Sequence, residues 1–172
     1  MRPIRVFSAG GTAPDLLRAS MAALAREFRT TCALAEAAID PSFAHHPERN
    51  QYHSTAILER LAKMNGHGDE MRVAVTGVDL YIPILTFVFG EAQLGGTCAV
   101  VSHHRLTQEF YGLPPNRGLL TERLVKEAVH EAGHTAGLTH CDDYECVMAA
   151  SHAVEWLDLK GASFCATCRA AM

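Results

Sequence analysis

One run of residues, HEAGHTAGLTHC from His130 to Cys141, constrains this 172-residue chain more than any other. On a helix turning about 100° per residue, His130 and His134 lie only about 40° apart, so both imidazoles point the same way and can share one metal ion. Measured from His130, the apolar residues Val125, Ala128, Val129, Ala132 and Ala136 fall at roughly 160° to 260°. The spacing therefore predicts a helix that buries one side and offers the other. Glu131 sits about 100° round from His130, where a carboxylate reaches a metal-bound water rather than the ion. A catalytic zinc usually takes three protein ligands and leaves the fourth position to water. Gly137 can adopt the left-handed conformation that ends a helix, and the sharp turn returns His140 toward the same ion.

Four of the six cysteines fall in the last quarter of the chain. Cys141 and Cys146 form one spaced pair and Cys165 and Cys168 another, the arrangement of a tetrahedral four-thiolate structural zinc. Two disulfides are the alternative. With no apolar leader before Pro14 and Asp15, a reducing, cytoplasmic setting and thiolate ligation are the expectation. Because Cys141 directly follows His140, the second metal fixes the chain where the first site is completed. Four thiolates leave no open position, so its role is structural. Cys32 and Cys98 lie in apolar, strand-like segments and are expected to be buried.

With 48% hydrophobic and 20% charged residues, the chain is expected to form one domain spanning residues 1–172. Residues 1–136 supply sheet, helices and active-site helix, and 137–172 a smaller zinc-stabilised part. The net charge of -4 and the lack of a Lys/Arg run argue against a nucleic-acid partner. The most apolar stretch, Val73 to Gly90, is interrupted by Asp79 and Pro83 and is too short for a membrane span.

Elements alternate along the chain. Ile4 to Ala9 reads as a strand, followed by a helix with Leu17, Met21, Leu24 and Phe28 at helical spacing. Thr31 to Ile39 reads as a second strand, and a helix bearing Ile57, Leu58, Leu61 and Met64 has Asn65-Gly66 as its stop. Arg72 to Val78 is the third strand. Thr86 to Phe89 and Thr97 to Ser102, joined through a glycine-containing segment, suggest an antiparallel excursion. The active-site helix begins near Leu119 to Thr121. The class is α/β (α+β), with a mixed twisted sheet, an antiparallel edge strand and a Cys-rich tail. His45, His46, His53, His67, His103 and His104 lack ligand spacing and read as surface or loop residues.

HEAGHTAGLTHC, followed by CVM and CATC, resembles the archaemetzincin family of zinc metallopeptidases. The stretch DLYIPILTFVFGEAQLGGTCAVVSHHRL is also similar to the segment preceding that family's catalytic helix. The resemblance implies a compact metzincin-like domain that hydrolyses peptide or protein substrates with two Zn2+ per chain. His130, His134 and His140 would bind the catalytic zinc, Glu131 would be the general base, and Cys141, Cys146, Cys165 and Cys168 would hold the structural zinc. Met148 would supply the Met-turn beneath the catalytic metal; without the resemblance it reads as an ordinary core methionine. Phe87, Val88, Phe89, Gly90, Glu91 and Ala92 resemble the metzincin edge strand, which can bind an extended peptide by strand addition. Two rival readings remain. One takes Glu155 as third ligand in the manner of gluzincins, against which His140 argues. The other is a zinc-stabilised binding protein with little or no peptidase activity, which has no need of Glu131. Tyr144 is a further candidate for contact with the oxyanion.

Overall fold

The first strand sets the layering. In β1 (Ile4–Ala9), successive side chains alternate between faces, so Ile4 and Val6 enter one core and Phe7 and Ala9 another. The computed structural model describes residues 2–64 and 69–172. After β1 come α1 (Pro14–Phe28), β2 (Cys32–Leu34), the short strands β3 (His45–His46) and β4 (Gln51–His53), and α2 (Ser54–Lys63). The second half supplies β5 (Met71–Thr76), β6 (Leu80–Tyr81), β7 (Gly90–Ala92), β8 (Cys98–Ser102), α3 (Arg117–Thr135), α4 (Val154–Leu159) and α5 (Ala166–Ala170).

Five strands join in the order β2-β1-β5-β8-β7, the first four parallel and β7 antiparallel to β8. This is the mixed sheet with an antiparallel edge that the sequence predicts. β5 is buried along its whole length, as a parallel strand covered on both faces must be. One cover is α1 with α3, through Leu16, Leu24, Leu124 and Ala128; the other is α2, through Ile57, Leu58 and Leu61. Arg72 leaves the sheet to donate to the Leu61 and Met64 carbonyls, satisfying the C-terminal end of α2. A second sheet, β3-β4-β6, lies beside the first.

Several boundaries differ from expectation, each for a local reason. The second strand is Cys32–Leu34 rather than Thr31 to Ile39. It lies at the sheet's end with Ala33 and Leu34 exposed, and Ile39 returns only as an isolated bridge to Ala9. Cys32 is accordingly half-buried, whereas Cys98 is fully buried as expected. The third strand stops at Thr76, whose hydroxyl accepts the Val78 N–H and turns the chain. The edge segment Phe87 to Ala92 is paired in the main sheet only over Gly90–Ala92, because Val88 donates to Leu80 and bridges to β6 instead. Helix α3 begins at Arg117, where the Asn116 side chain accepts the Leu119 N–H as an N-cap. It does not offer one free side: Arg123, Lys126, Glu127, His130 and Glu131 are all buried, covered by the segment 146–160. The stop at Asn65-Gly66, and His67, lie outside the described residues. His45, His46 and His53 belong to β3 and β4, packed on Tyr52 and Tyr81, and the His103 ring fills the space above Gly77. Among the described residues, no helix is long and apolar enough to cross a membrane.

The C-terminal segment is fastened to α1 by Glu27, which is 3% exposed. Its carboxylate accepts from Arg169 at 2.7 Å, Arg26 at 3.0 Å and Ser163 at 3.0 Å. Burial alone would raise this carboxyl, but the three donors outweigh it and hold it below the usual value. A lowered carboxyl contributes stability that is present above the unfolded value and lost as pH falls through the folded one. Glu27→Gln is expected to cost about 1–3 kcal/mol at neutral pH. In urea titrations, wild type should lose more stability than Glu27→Gln between about pH 5 and about pH 3.

Candidate active site

The three predicted histidines converge. Gly137, at φ 98°, accepts the left-handed turn: its N–H donates to the His134 carbonyl at 2.9 Å and the Leu138 N–H to the Gly133 carbonyl at 3.0 Å. These two bonds close the end of α3 and reverse the chain. His140 then faces the helix, and one ring nitrogen from each of His130, His134 and His140 lies within 4.8 Å of the others.

Hydrogen bonding fixes which nitrogens are free. His130 Nδ1 lies 2.8 Å from the Val147 carbonyl and His134 Nδ1 2.7 Å from the Leu138 carbonyl. A carbonyl only accepts, so each Nδ1 carries the proton and each Nε2 presents a bare lone pair in the neutral ring. Those two Nε2 atoms are 3.1 Å apart. Two unprotonated acceptors at that distance repel unless a cation lies between them, and Zn–N bonds of about 2.0–2.1 Å in a tetrahedron separate nitrogens by about 3.3 Å. The donor set fits zinc. Burial, then the Lys160 charge, holds the His130 imidazole well below its ordinary value, and burial also lowers His140. Both rings are thus kept in the neutral form that binds metal.

The four late cysteines form the second group, with one sulfur each within 4.8 Å of the rest. Cys141 and Cys165 Sγ are 3.8 Å apart, far beyond the roughly 2.05 Å of a disulfide. Zn–S bonds of about 2.3 Å in a tetrahedron place sulfurs about 3.8 Å apart. Backbone N–H groups of Met148 and Cys165 point at Cys146 Sγ, and that of Cys168 at Cys165 Sγ. The Cys168 N–H draws the Cys165 thiol down to about 7, while burial pushes Cys146 and Cys168 up. Four crowded thiols resist ionising together, and a dication removes that conflict. Among the described residues these are the two groups of three or more side chains that can hold a metal.

Glu131 is 6% exposed and opens onto a cleft of about 490 Å³ beside the histidines. Burial, then the Glu127 and Glu91 carboxylates, raises its carboxyl well above the ordinary value, against the pull of Lys160. Its position depends on a glycine: a Cβ on Gly90 would come within 2.6 Å of Glu131 Cγ and 2.7 Å of the Val100 carbonyl. Gly133 plays the same part on the other side of α3, where a Cβ would collide with Met148 Sδ. Met148 is fully buried there. The whole segment Phe87 to Ala92 lines the cleft, and β7 ends the sheet with β8 on one side only. Arg49 donates to the Leu85 and Thr86 carbonyls and Gln51 to Thr86, fixing the cleft's rim.

Two candidates lie elsewhere. Tyr144 is 74% exposed in the turn between Cys141 and Cys146 and does not line the cleft. Glu155 is exposed on α4, and the histidine group closes without it. Sequence reasoning missed Glu127, Ser151, His152 and Lys160. Glu127 stands one turn before Glu131, a spacing that was available as a signal. Ser151 and His152 line the cleft from the loop after Met148, and nothing local marks them or Lys160.

The profile of peptidase family M54 matches residues 33–172. The chain belongs to the archaemetzincins. It is 44% identical over 128 residues to the archaemetzincin of Methanocaldococcus jannaschii, covering 74% of this chain and 69% of the relative. A similar match, 44% over 126 residues, is to the archaemetzincin of Thermococcus kodakarensis, covering 73% and 68%. The fold is similar to that of the Archaeoglobus fulgidus archaemetzincin complexed with malonate, with TM-score 0.84, 34% identity and 99% of both chains covered. It is also similar to a zinc-dependent peptidase from Methanocorpusculum labreanum, with TM-score 0.88, 33% identity and 98% of both chains covered. This archaemetzincin is a zinc metallopeptidase with peptide or protein substrates. Gly90→Ala is expected to displace the Glu131 carboxyl and lower peptide hydrolysis by about a hundredfold. Zinc content by atomic absorption should match wild type.

Proposed function

We propose that this archaemetzincin cleaves peptide bonds with zinc held by His130, His134 and His140 and with Glu131 as general base. The observation that carries the reading is the pair of bare Nε2 atoms 3.1 Å apart, fixed by carbonyl bonds at each Nδ1. Bound at the three imidazoles, zinc supplies Lewis acidity to the attacking water and the scissile carbonyl. Glu131 accepts the water's proton and returns it to the leaving amine. Its burial keeps the carboxylate poorly solvated and therefore basic. The substrate lies along the outer edge of Gly90–Ala92, adding a strand to the sheet, with Phe87, Val88 and Phe89 lining the approach.

Cys141, Cys146, Cys165 and Cys168 hold a second, structural zinc, giving two per chain. Met148 forms the Met-turn, seated against Gly133 beneath the histidines. Residues 1–172 act as one catalytic unit, with 137–172 as its zinc-stabilised part. Thiolate ligation suits a reducing, cytoplasmic setting.

Glu131→Gln is expected to reduce cleavage of a peptide library by about 10²–10⁴-fold while retaining two zincs per chain. Equal cleavage by wild type and variant would remove Glu131 from the mechanism. The rate should fall at acidic pH, since both the base and the histidine ligands must be deprotonated. A rate that stays flat down to about pH 4 would contradict this assignment.

A further inference from the structure

Two buried cations on α3, Arg123 and Lys126, strap the last turn of α4 onto that helix. Arg123 grips Asp158 with bonds of 2.7 and 2.6 Å, and Lys126 donates to the Leu157 carbonyl at 3.1 Å. The strap so held delivers Lys160 into the interior, where its side chain is 1% exposed. The ammonium lies 3.1 Å from the Ala149 carbonyl, 3.2 Å from Glu127 Oε1 and 3.4 Å from His130 Nδ1. Burying a lysine so completely is costly, and a well-packed apolar residue would serve stability as well.

We propose that Lys160 is a positioning residue for the active site, locking the His130 ring and the Met148–Ala149 turn onto α3 in the geometry that holds the metal. This rests on reading His130 as a zinc ligand. His130 Nδ1 already donates to Val147, so Lys160 does not bond that nitrogen; it closes the space behind the ring edge. Its two hydrogen bonds tie Glu127, four residues before Glu131 on the same helix, to Ala149, two residues beyond the carbonyl that orients His130. The turn is thereby held on one side by His130 and on the other by Lys160, with Met148 between. Removing the ammonium frees Ala149, leaves the Glu127 carboxylate unpaired in the cleft wall, and lets the ring tilt.

The test compares Lys160→Met, the double variant Lys160→Met/Glu127→Leu and His130→Ala. The measurements are zinc affinity by chelator competition, thermal unfolding, and kcat and KM at saturating zinc. Both Lys160 variants are expected to weaken the zinc that His130→Ala removes by about ten- to a hundredfold, as loss of an outer-shell partner does. They should lower kcat by a similar factor with KM within about twofold, and keep the cysteine-bound zinc. The double variant removes the unpaired carboxylate and should regain the wild-type melting temperature while staying impaired in zinc affinity and kcat. If Lys160→Met fails to fold, the double variant carries the comparison alone. Recovery of wild-type affinity and kcat in the double variant would mean a purely structural lysine and overturn the proposal. Unchanged zinc content in His130→Ala would overturn the ligand reading itself.

Discussion

Everything at the site hangs from the four-residue run Cys146–Ala149. The Cys146 thiol belongs to the sulfur cluster and accepts N–H groups from Met148 and Cys165. The Val147 carbonyl orients His130, and the Val147 N–H is held by Ser163. Met148 fills the space that Gly133 leaves open, and its carbonyl accepts the N–H of Cys141, the residue after His140. Ala149 receives Lys160. Two of the three histidines and all four cysteines are therefore referred to one short stretch of backbone. A shift there moves both clusters together.

The constraint explains why α3 is so unusual a core helix. It is packed against α1, β8 and the tail, yet it carries Arg123, Lys126, Glu127, His130 and Glu131 in buried positions. Unpaired, such charges would unfold the protein. Most are answered: Arg123 by Asp158, Lys126 by Glu122 and the Leu157 carbonyl, Glu127 by Lys160, and His130 by Val147. Among the described residues Glu131 has no cation in direct contact, and it lines the cleft together with Glu127 and His130. Polar burial is concentrated on the helix that carries His130 and His134.

Much of this was legible in the sequence. His130, His134 and His140 follow from helical angle and a glycine turn, both local properties, and the cysteine pairs follow from spacing. The parallel core with an antiparallel edge was readable from the order of strand-like and helical runs. What escaped was non-local. Lys160 reaches His130 from 30 residues away through the strap after α4, and no local periodicity records that. The extent of burial of α3 was hidden for the same reason, since its second cover is the segment 146–160, whose one helix, α4, is only 6 residues long. The edge segment Phe87 to Ala92 looked like one strand because β propensity does not say which neighbour a strand will choose, and Val88 chose β6.

The small sheet β3-β4-β6 acquires significance through Arg49, just before β4, and Gln51, its first residue: Arg49 donates to the Leu85 and Thr86 carbonyls and Gln51 to that of Thr86. The rim of the cleft is thus carried by a different part of the chain from its floor, which α3 and the segment after His140 supply. Leu85 lines that rim, next to Ile84, which is 86% exposed. Rim and histidine cluster are mounted on separate frames. Because Leu85 and Thr86 are held through Arg49 and Gln51, a substitution on the rim leaves the carbonyls that orient His130 and His134 where they are.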